Sequence, residues 1–407
     1  MPQAVAMSRQ PRRPHRRQRR RAHRRAGHDG RRRPGTGRPA APAPVLTLVL
    51  TLVLVVAACG GDTATETAST DAATTSSAGP QATTPPEPST TAGTSAAATA
   101  SPAATGSAAP APAGGPTDVT TTWVFDRALV PSDGAWAAPY GVDVESDGTV
   151  WVADTGNHRV VGLHPDGSET VIGEQGTDDG QFTTLGFGSL AIAPDGTIHV
   201  VDNGNFRVQS FDPDGAFLTS FGSEGEGDGQ FTRAIGIAVD GDGQVYVTDD
   251  GRPEVQVFTA DGTFVHAFGT GGEEPGQFLH PTGIDVAPGG QVWVADYEAQ
   301  RVQAFSADGE FVAEYASPGA AGSSATLEGI EITEDGGVLV TSYRGGEVLA
   351  VPGRDADPEA DWPIVAGETG TGDGQFSAPV DLALAPDGSL VVTDQNTNTV
   401  QVFAPAG

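Results

Sequence analysis

From residue 136 to its end the chain repeats one pattern six times: an apolar run, an Asp-Gly turn, a second apolar run ending in Asp, a polar loop, a third run, another Asp-Gly and a fourth run. The clearest copy, residues 236–269, reads GIAVDGDGQVYVTDDGRPEVQVFTADGTFVHAFG. First turns fall at Asp147-Gly148, Asp195-Gly196, Asp242-Gly243, Gly289-Gly290, Asp335-Gly336 and Asp387-Gly388, at intervals of 48, 47, 47, 46 and 52 residues. Four short runs rich in Val, Ile, Phe, Tyr and Trp in each copy predict four antiparallel strands. Asp-Gly between them predicts tight hairpins in which both residues take positive φ. Repeated four-stranded antiparallel units are propeller blades.

Closure supports this reading. The last copy stops after its third strand, at Val400-Gln401-Val402-Phe403, while Thr121-Thr122-Trp123-Val124-Phe125 ahead of the first copy matches a fourth strand. Pairing the two completes the last blade and protects its free edge. The expectation is an all-β, six-bladed propeller over residues 118–407, closed by its N-terminal strand.

The segments HRVVGL (residues 158–163), FRVQSF (206–211) and RVQAF (301–305) resemble the NHL-repeat propellers. So do the linkers Gly180-Gln181-Phe182, Gly229-Gln230-Phe231, Gly276-Gln277-Phe278 and Gly374-Gln375-Phe376. The resemblance implies the propeller fold. It leaves function open, because that family includes adhesive or sensory modules, nucleic-acid and protein binders, and lyases.

Two other compositions precede the propeller. Residues 1–40 hold fourteen of the 22 basic residues, all Arg, and residues 45–58 form an apolar run ending at Val56-Ala57-Ala58-Cys59. A basic start, a short apolar segment and small residues before a break describe a secretory signal over residues 1–58. The run is shorter than the about 20 residues needed to span a bilayer. The final tetrad is similar to a bacterial lipobox, which implies a lipid on Cys59 and a protein held at the outer side of the cell membrane. Cys59 is the sole cysteine, which excludes an intramolecular disulfide and thiol catalysis in the propeller. Residues 59–117 are Thr, Ala, Ser, Pro and Gly with little aliphatic bulk, the composition of a disordered tether.

Residues 118–407 carry 47 acidic residues against 8 arginines and no lysine, a formal charge of −39. Such a surface repels nucleic acid and argues against it as a partner. Much of the acidity is turn chemistry and solubility.

Candidate functional residues emerge where the copies disagree. Recurring groups read as architecture: Asp154, Asp202, Asp249, Asp296 and Asp394 as loop caps with Arg159, Arg207 and Arg301 as partners, and His199 as an inter-blade packing residue. The longer, variable loops lie opposite the Asp-Gly hairpins, and that face is the expected binding face. Three residues before the Gly of Gly-Ile-Ala-Val, or its equivalent in each innermost strand, stand Ala138, Gly186, Arg233, His280, Thr326 and Ala378. The resemblance brings to mind lyases that hold zinc with histidines from several blades, but here only His280 occupies that register, short of the about three ligands catalytic zinc needs.

The fifth copy is irregular, with Tyr343-Arg344 after its second strand and no Gly-Gln-Phe linker between Ser317 and Ala325. Arg233, His280, Glu328, Tyr343, Arg344 and Asp381 therefore form the candidate ligand-binding set, suited to a peptide or sugar. Asp143, Asp285 and Glu331 occupy equivalent innermost-strand positions, where separate solvated carboxylates are the simpler expectation and a calcium-type cation the alternative. The favoured function is a monomeric, lipid-anchored module that binds a peptide, protein or cell-wall glycan. The alternative is an extracellular lactonase or lyase, which needs a metal or a convergent acid/base group.

Overall fold

The computed structural model describes residues 116–186, 189–317, 326–353 and 361–406. The signal segment, Cys59, all but the last two residues of the tether, and residues 318–325 of the fifth linker lie outside them. The described chain forms six four-stranded antiparallel sheets, each running from an innermost to an outermost strand in sequence order, except the last. There the innermost strand is Pro379–Leu384, and the outermost is the N-terminal strand Trp123–Leu129, paired from Trp123 opposite Pro405 to Leu129 opposite Val400. The expected closure is the observed one.

The Asp-Gly hairpins differ in detail from expectation. Only the glycines take positive φ, 90° at Gly148 and 81° at Gly388, while the aspartates do not. The Gly148 N–H donates to Glu145 O at 2.8 Å and the Glu145 N–H to Thr149 O at 2.9 Å. This is a turn followed by a left-handed glycine, the longer of the common hairpin loops. The aspartate works through its side chain: Asp147, Asp195 and Asp387 each accept the N–H two residues on, at 2.8, 3.0 and 2.9 Å.

Apolar packing lies between blades. Each of the six core clusters spans one seam: Trp151 and Ile172 of blade 1 meet Phe182 and Phe211 of blade 2, and Trp293 of blade 4 meets Leu327 and Leu349 of blade 5. The expected bulky slot in the second strands is filled by Trp151, His199, Tyr246 and Trp293, all buried. His199 donates or accepts through Nδ1 with Ser210 Oγ at 2.9 Å, and burial pushes its imidazole down to about 4.

Polar staples fix the linkers to the blades. The fully buried Asp at the end of the second strand accepts N–H groups from the incoming linker, as Asp249 does from Thr232 and Arg233, both at 2.8 Å. Arg159 and Arg207 pair with Asp154 and Asp202 at 2.8 and 3.0 Å. A second staple was not foreseen. The third-strand glutamines Gln209, Gln256, Gln303 and Gln401 accept from the Gly N–H and donate to the Gln carbonyl of the Gly-Gln-Phe linker some 26 residues earlier, as in Gly229 N to Gln256 Oε1 at 2.9 Å and Gln256 Nε2 to Gln230 O at 2.7 Å. Blades 1 and 5, with Val161 and Leu349 at this position, have no Gly-Gln-Phe linker.

The innermost strands are joined sideways. Asp143 Oδ2 accepts from Ile192 N at 2.8 Å, Asp285 Oδ2 from Ile332 N at 2.8 Å, Glu331 Oε1 from Leu384 N at 3.2 Å and Asp381 Oδ2 from Val142 N at 3.0 Å, in each case from the next blade around the ring. Second-strand Thr341 and Thr393 donate across the last two of these seams to the carbonyls of Val380 and Tyr140, and Thr248 donates to Thr282 O across the seam between blades 3 and 4. Burial pushes Asp143 up to about 7 and Asp381 up to about 8, against the lowering effect of their backbone donors; Asp285 and Glu331 are raised for the same reason.

Two outcomes follow from these staples. Gln256→Leu leaves a linker N–H and a carbonyl without partners and is expected to destabilise the fold by about 2–4 kcal/mol, read by chemical denaturation. Because the folded carboxyls of the inner ring are raised above their unfolded values, their contribution to stability is fully present at acid pH and is lost as pH climbs from about 4 towards 8. Asp381→Asn retains an acceptor for Val142 N, so its melting temperature should approach the parent's near pH 4 and exceed it at pH 9.

Candidate functional site

At the long-loop end, the corner after each second strand has a repeated geometry. The N–H groups of Asp250, Tyr297, Tyr343 and Gln395 donate to the carbonyls of Arg233, His280, Thr326 and Ala378, at 3.0, 2.9, 2.8 and 3.3 Å. These bonds hold four variable side chains at the rim of the channel in blades 3 to 6. Just inside, the second residues of five innermost strands form a ring of Tyr140, Ile235, Thr282, Glu328 and Val380.

Blades 4, 5, 6 and 1 converge here. Tyr343 accepts a hydrogen bond from Gln395 Nε2 at its hydroxyl and meets Tyr297 in an edge-on contact with ring centroids 6.3 Å apart at 66°. Tyr140, Tyr297, Tyr343 and Gln395 are all half-buried. Glu328 is 7% exposed, and among the described residues no donor reaches its carboxyl. Burial first, and the Asp381 charge second, push Glu328 up to about 8. Burial also raises Tyr140, assisted by Tyr343 and Glu328, and raises Tyr343, assisted by Glu328 and Tyr297 against the lowering hydrogen bond from Gln395.

Of the sequence-predicted set, the structure brings Glu328, Tyr343 and Asp381 together. Arg233 and His280 form a separate cluster on the blade 3 to blade 4 rim, organised by Asp250. Its carboxylate, nearly inaccessible, pairs with Arg233 and lies 2.9 Å from His280 Nδ1, while His280 Nε2 lies 3.4 Å from Glu298. Arg344 is exposed beside Tyr343. Sequence reasoning missed Tyr140, Tyr297, Asp250 and Gln395. Three of these sit immediately after the second-strand terminus, a register position equivalent to Tyr343 that was legible had it been aligned across all copies.

The other end of the channel is a pocket of about 270 Å³ lined by Asp143, Asp285, Glu331 and Asp381, with Pro288 and Glu334 of the first hairpins at its mouth. It therefore opens on the hairpin face, opposite the face expected to bind. Among the described residues, no three His, Cys, Asp or Glu side chains are placed to hold a metal ion. The calcium geometry considered for Asp143, Asp285 and Glu331 is not assembled, because their oxygens accept N–H groups at separate seams. The histidines are likewise dispersed, with His164 between Thr149 and Thr170 and His266 against Phe268.

Beside this mouth, residues 116–122 cross blade 5. Thr117 N donates to Gly336 O at 3.1 Å and Asp118 Oδ1 accepts from Gly353 N at 2.9 Å. With Trp123, this strap walls a second crevice of about 600 Å³ against Ile332, Leu384 and Pro386.

Comparison with known proteins agrees with this architecture. No curated protein matches the chain in sequence. Among solved structures, a streptogramin B lyase is similar over 70% of this chain and 98% of its own, at 16% identity and a TM-score of 0.51. A gluconolactonase from Xanthomonas campestris is similar over 73% of this chain and 99% of its own, at 15% identity and a TM-score of 0.50. At such identities the likeness is one of fold. The NHL repeat family matches residues 138–163, 278–305 and 376–403, in blades 1, 4 and 6. The chain is thus a six-bladed β-propeller that carries NHL repeats in blades 1, 4 and 6.

Proposed function

We propose that this protein is an exported, lipid-anchored propeller that binds a peptide, protein or cell-wall glycan at its long-loop mouth. The observation that carries the reading is the convergence of Tyr140, Tyr297, Tyr343 and Gln395, from four different blades, around the buried Glu328. Half-buried tyrosines offer large apolar faces and a polar edge at small entropic cost, which suits peptides and sugars. Export and anchoring rest on the Arg-rich opening, the apolar run and Cys59. The acidic surface favours partners other than nucleic acid, and the propeller is taken to act as a monomer.

A second reading, a hydrolase or lyase, draws support from one observation. Glu328 and Asp381, both raised to about 8, are adjacent acids that hold protons at neutral pH and release them just above it, the range a general acid or base requires. The lyase and lactonase activities named for the two solved structures belong to those proteins, and are classes to try here.

Cys59→Ala is expected to move the protein from the membrane to the soluble fraction; a variant that stays membrane-bound removes the anchoring reading. Screening the full chain by thermal shift against wall glycans and peptides should yield a ligand whose stabilisation disappears in Tyr297→Ala and Tyr343→Ala. Turnover of a lactone that is lost in Glu328→Gln would replace the binding reading with the enzymatic one.

A further inference from the structure

The mouth holds an imbalance that narrows what it takes. Glu328 is more than nine-tenths buried, yet the influences on its carboxyl are burial and the like charge of Asp381. Asp381 in turn feels burial, two backbone donors, and the acids Asp143 and Asp285. Among the described residues, no arginine or histidine is a cause of the shift of either acid. Arg233 is committed to Asp250, and Arg344, although next in sequence to Tyr343, is exposed and is not among the groups that shift Tyr343 or Glu328. A buried acid without a counter-charge is costly once ionised, and the cost is relieved by a cation brought from outside.

Aromatic rings stand at the same place. Tyr297 and Tyr343 contact edge-on, Tyr140 lies close enough to Tyr343 and Glu328 for their charges to interact, and Gln395 fixes the Tyr343 hydroxyl. Tyrosine faces attract ammonium groups through the ring quadrupole, most strongly where water is excluded. A carboxyl floor beneath such rings supplies the charge, and the rings supply desolvation. The formal charge of −39 over residues 118–407 raises the local concentration of any cationic ligand.

We infer that the mouth formed by Tyr140, Tyr297, Tyr343 and Gln395 recognises a protonated amine, with Glu328 as its counter-ion and the tyrosine rings around it. The inference rests on the long-loop mouth being the binding surface, and it specifies the ligand class as an ammonium-bearing peptide or glycan: a lysine-type side chain, a free peptide amine or an unacetylated amino sugar.

The groups facing Glu328 are Asp381 from blade 6, Tyr140 from blade 1 and Tyr343 from its own blade, all acids. Ammonium binding therefore requires Glu328 to lose its proton. A primary amine stays charged up to about pH 10. With Glu328 raised to about 8, affinity should rise by about fiftyfold from pH 6 to pH 8 and level off near pH 9.

The test titrates the full chain with Nα-acetyl-lysine methylamide and with its Nε-acetylated counterpart, which differ by one positive charge. The charged probe is expected to bind at least about tenfold more tightly, the size of one desolvated cation–π and ion-pair contact. Glu328→Gln should remove that preference and its pH dependence, Tyr297→Leu should weaken it, and Arg127→Gln, at an exposed arginine on the outermost strand of blade 6, should leave it intact. Melting curves of each variant establish that the propeller is folded. Equal affinity for the two probes, binding of neither, or a preference that survives Glu328→Gln overturns the inference. In those cases a neutral glycan or peptide whose binding still depends on Tyr297 and Tyr343 leaves the mouth standing as a binding surface. A ligand indifferent to both tyrosines removes the mouth as well.

Discussion

Every seam between adjacent blades joins two surfaces that are apolar in their interior and polar at the channel. Six separate clusters, each shared by two blades, mean that no blade owns a complete core and that none is stable without its neighbours. At the inner edge, side-chain acceptors replace the backbone pairing that innermost strands lack: Asp143, Asp285, Glu331 and Asp381 each take an N–H from the following blade. The glycines of this region permit the approach. A Cβ on Gly283 would lie 2.3 Å from Glu328 O, and one on Gly236 2.3 Å from Thr282 O. Asp381 stands where blades 1, 3, 4 and 5 have glycine and blade 2 has Ser189, and it is there that the ring closes onto blade 1.

This arrangement explains why residues that look like ligands in the sequence serve as ties in the structure. Carboxylates buried for architectural reasons are raised towards neutrality, and the raised acids then become available to chemistry at either mouth. The two ends of the channel use the same residue type differently. At the hairpin end the acids are spaced one per seam and are occupied by backbone donors. At the long-loop end no donor among the described residues reaches Glu328, which lies by Tyr140 and Tyr343, so its charge is answerable to whatever enters.

The blade count, the strand order and the N-terminal closure were legible because they depend on local signals repeated in register: Asp-Gly turns, alternating apolar runs and Gly-Gln-Phe linkers. The recurrent second-strand aspartates and His199 were readable as architecture for the same reason. The glutamine staples were not, since the link between Gln256 and Gln230 crosses 26 residues and only the pairing of the third strand against its own blade's linker reveals it. Tyr343 and Glu328 were found because the fifth copy is irregular, whereas Tyr140 and Tyr297 sit in regular copies: Tyr297 shares the register of Tyr343, and Tyr140 became visible only when the ring brought blade 1 round to blades 4 and 5. Arg233 and His280 were placed in the same candidate set as Glu328 and Tyr343, but Asp250 draws them into a cluster of their own.

The strap over blade 5 also determines how the domain carries load. Thr117 and Asp118 are bonded to Gly336, Asp335 and Gly353 before the chain enters the outermost strand of blade 6. Tension applied from the N-terminal side therefore reaches blade 5 first and must strip those bonds before it loads the strand that locks the ring. The latch is shielded by a sacrificial clasp on the neighbouring blade, and a pull is shared across the seam instead of being concentrated on the single strand whose loss would open the circle.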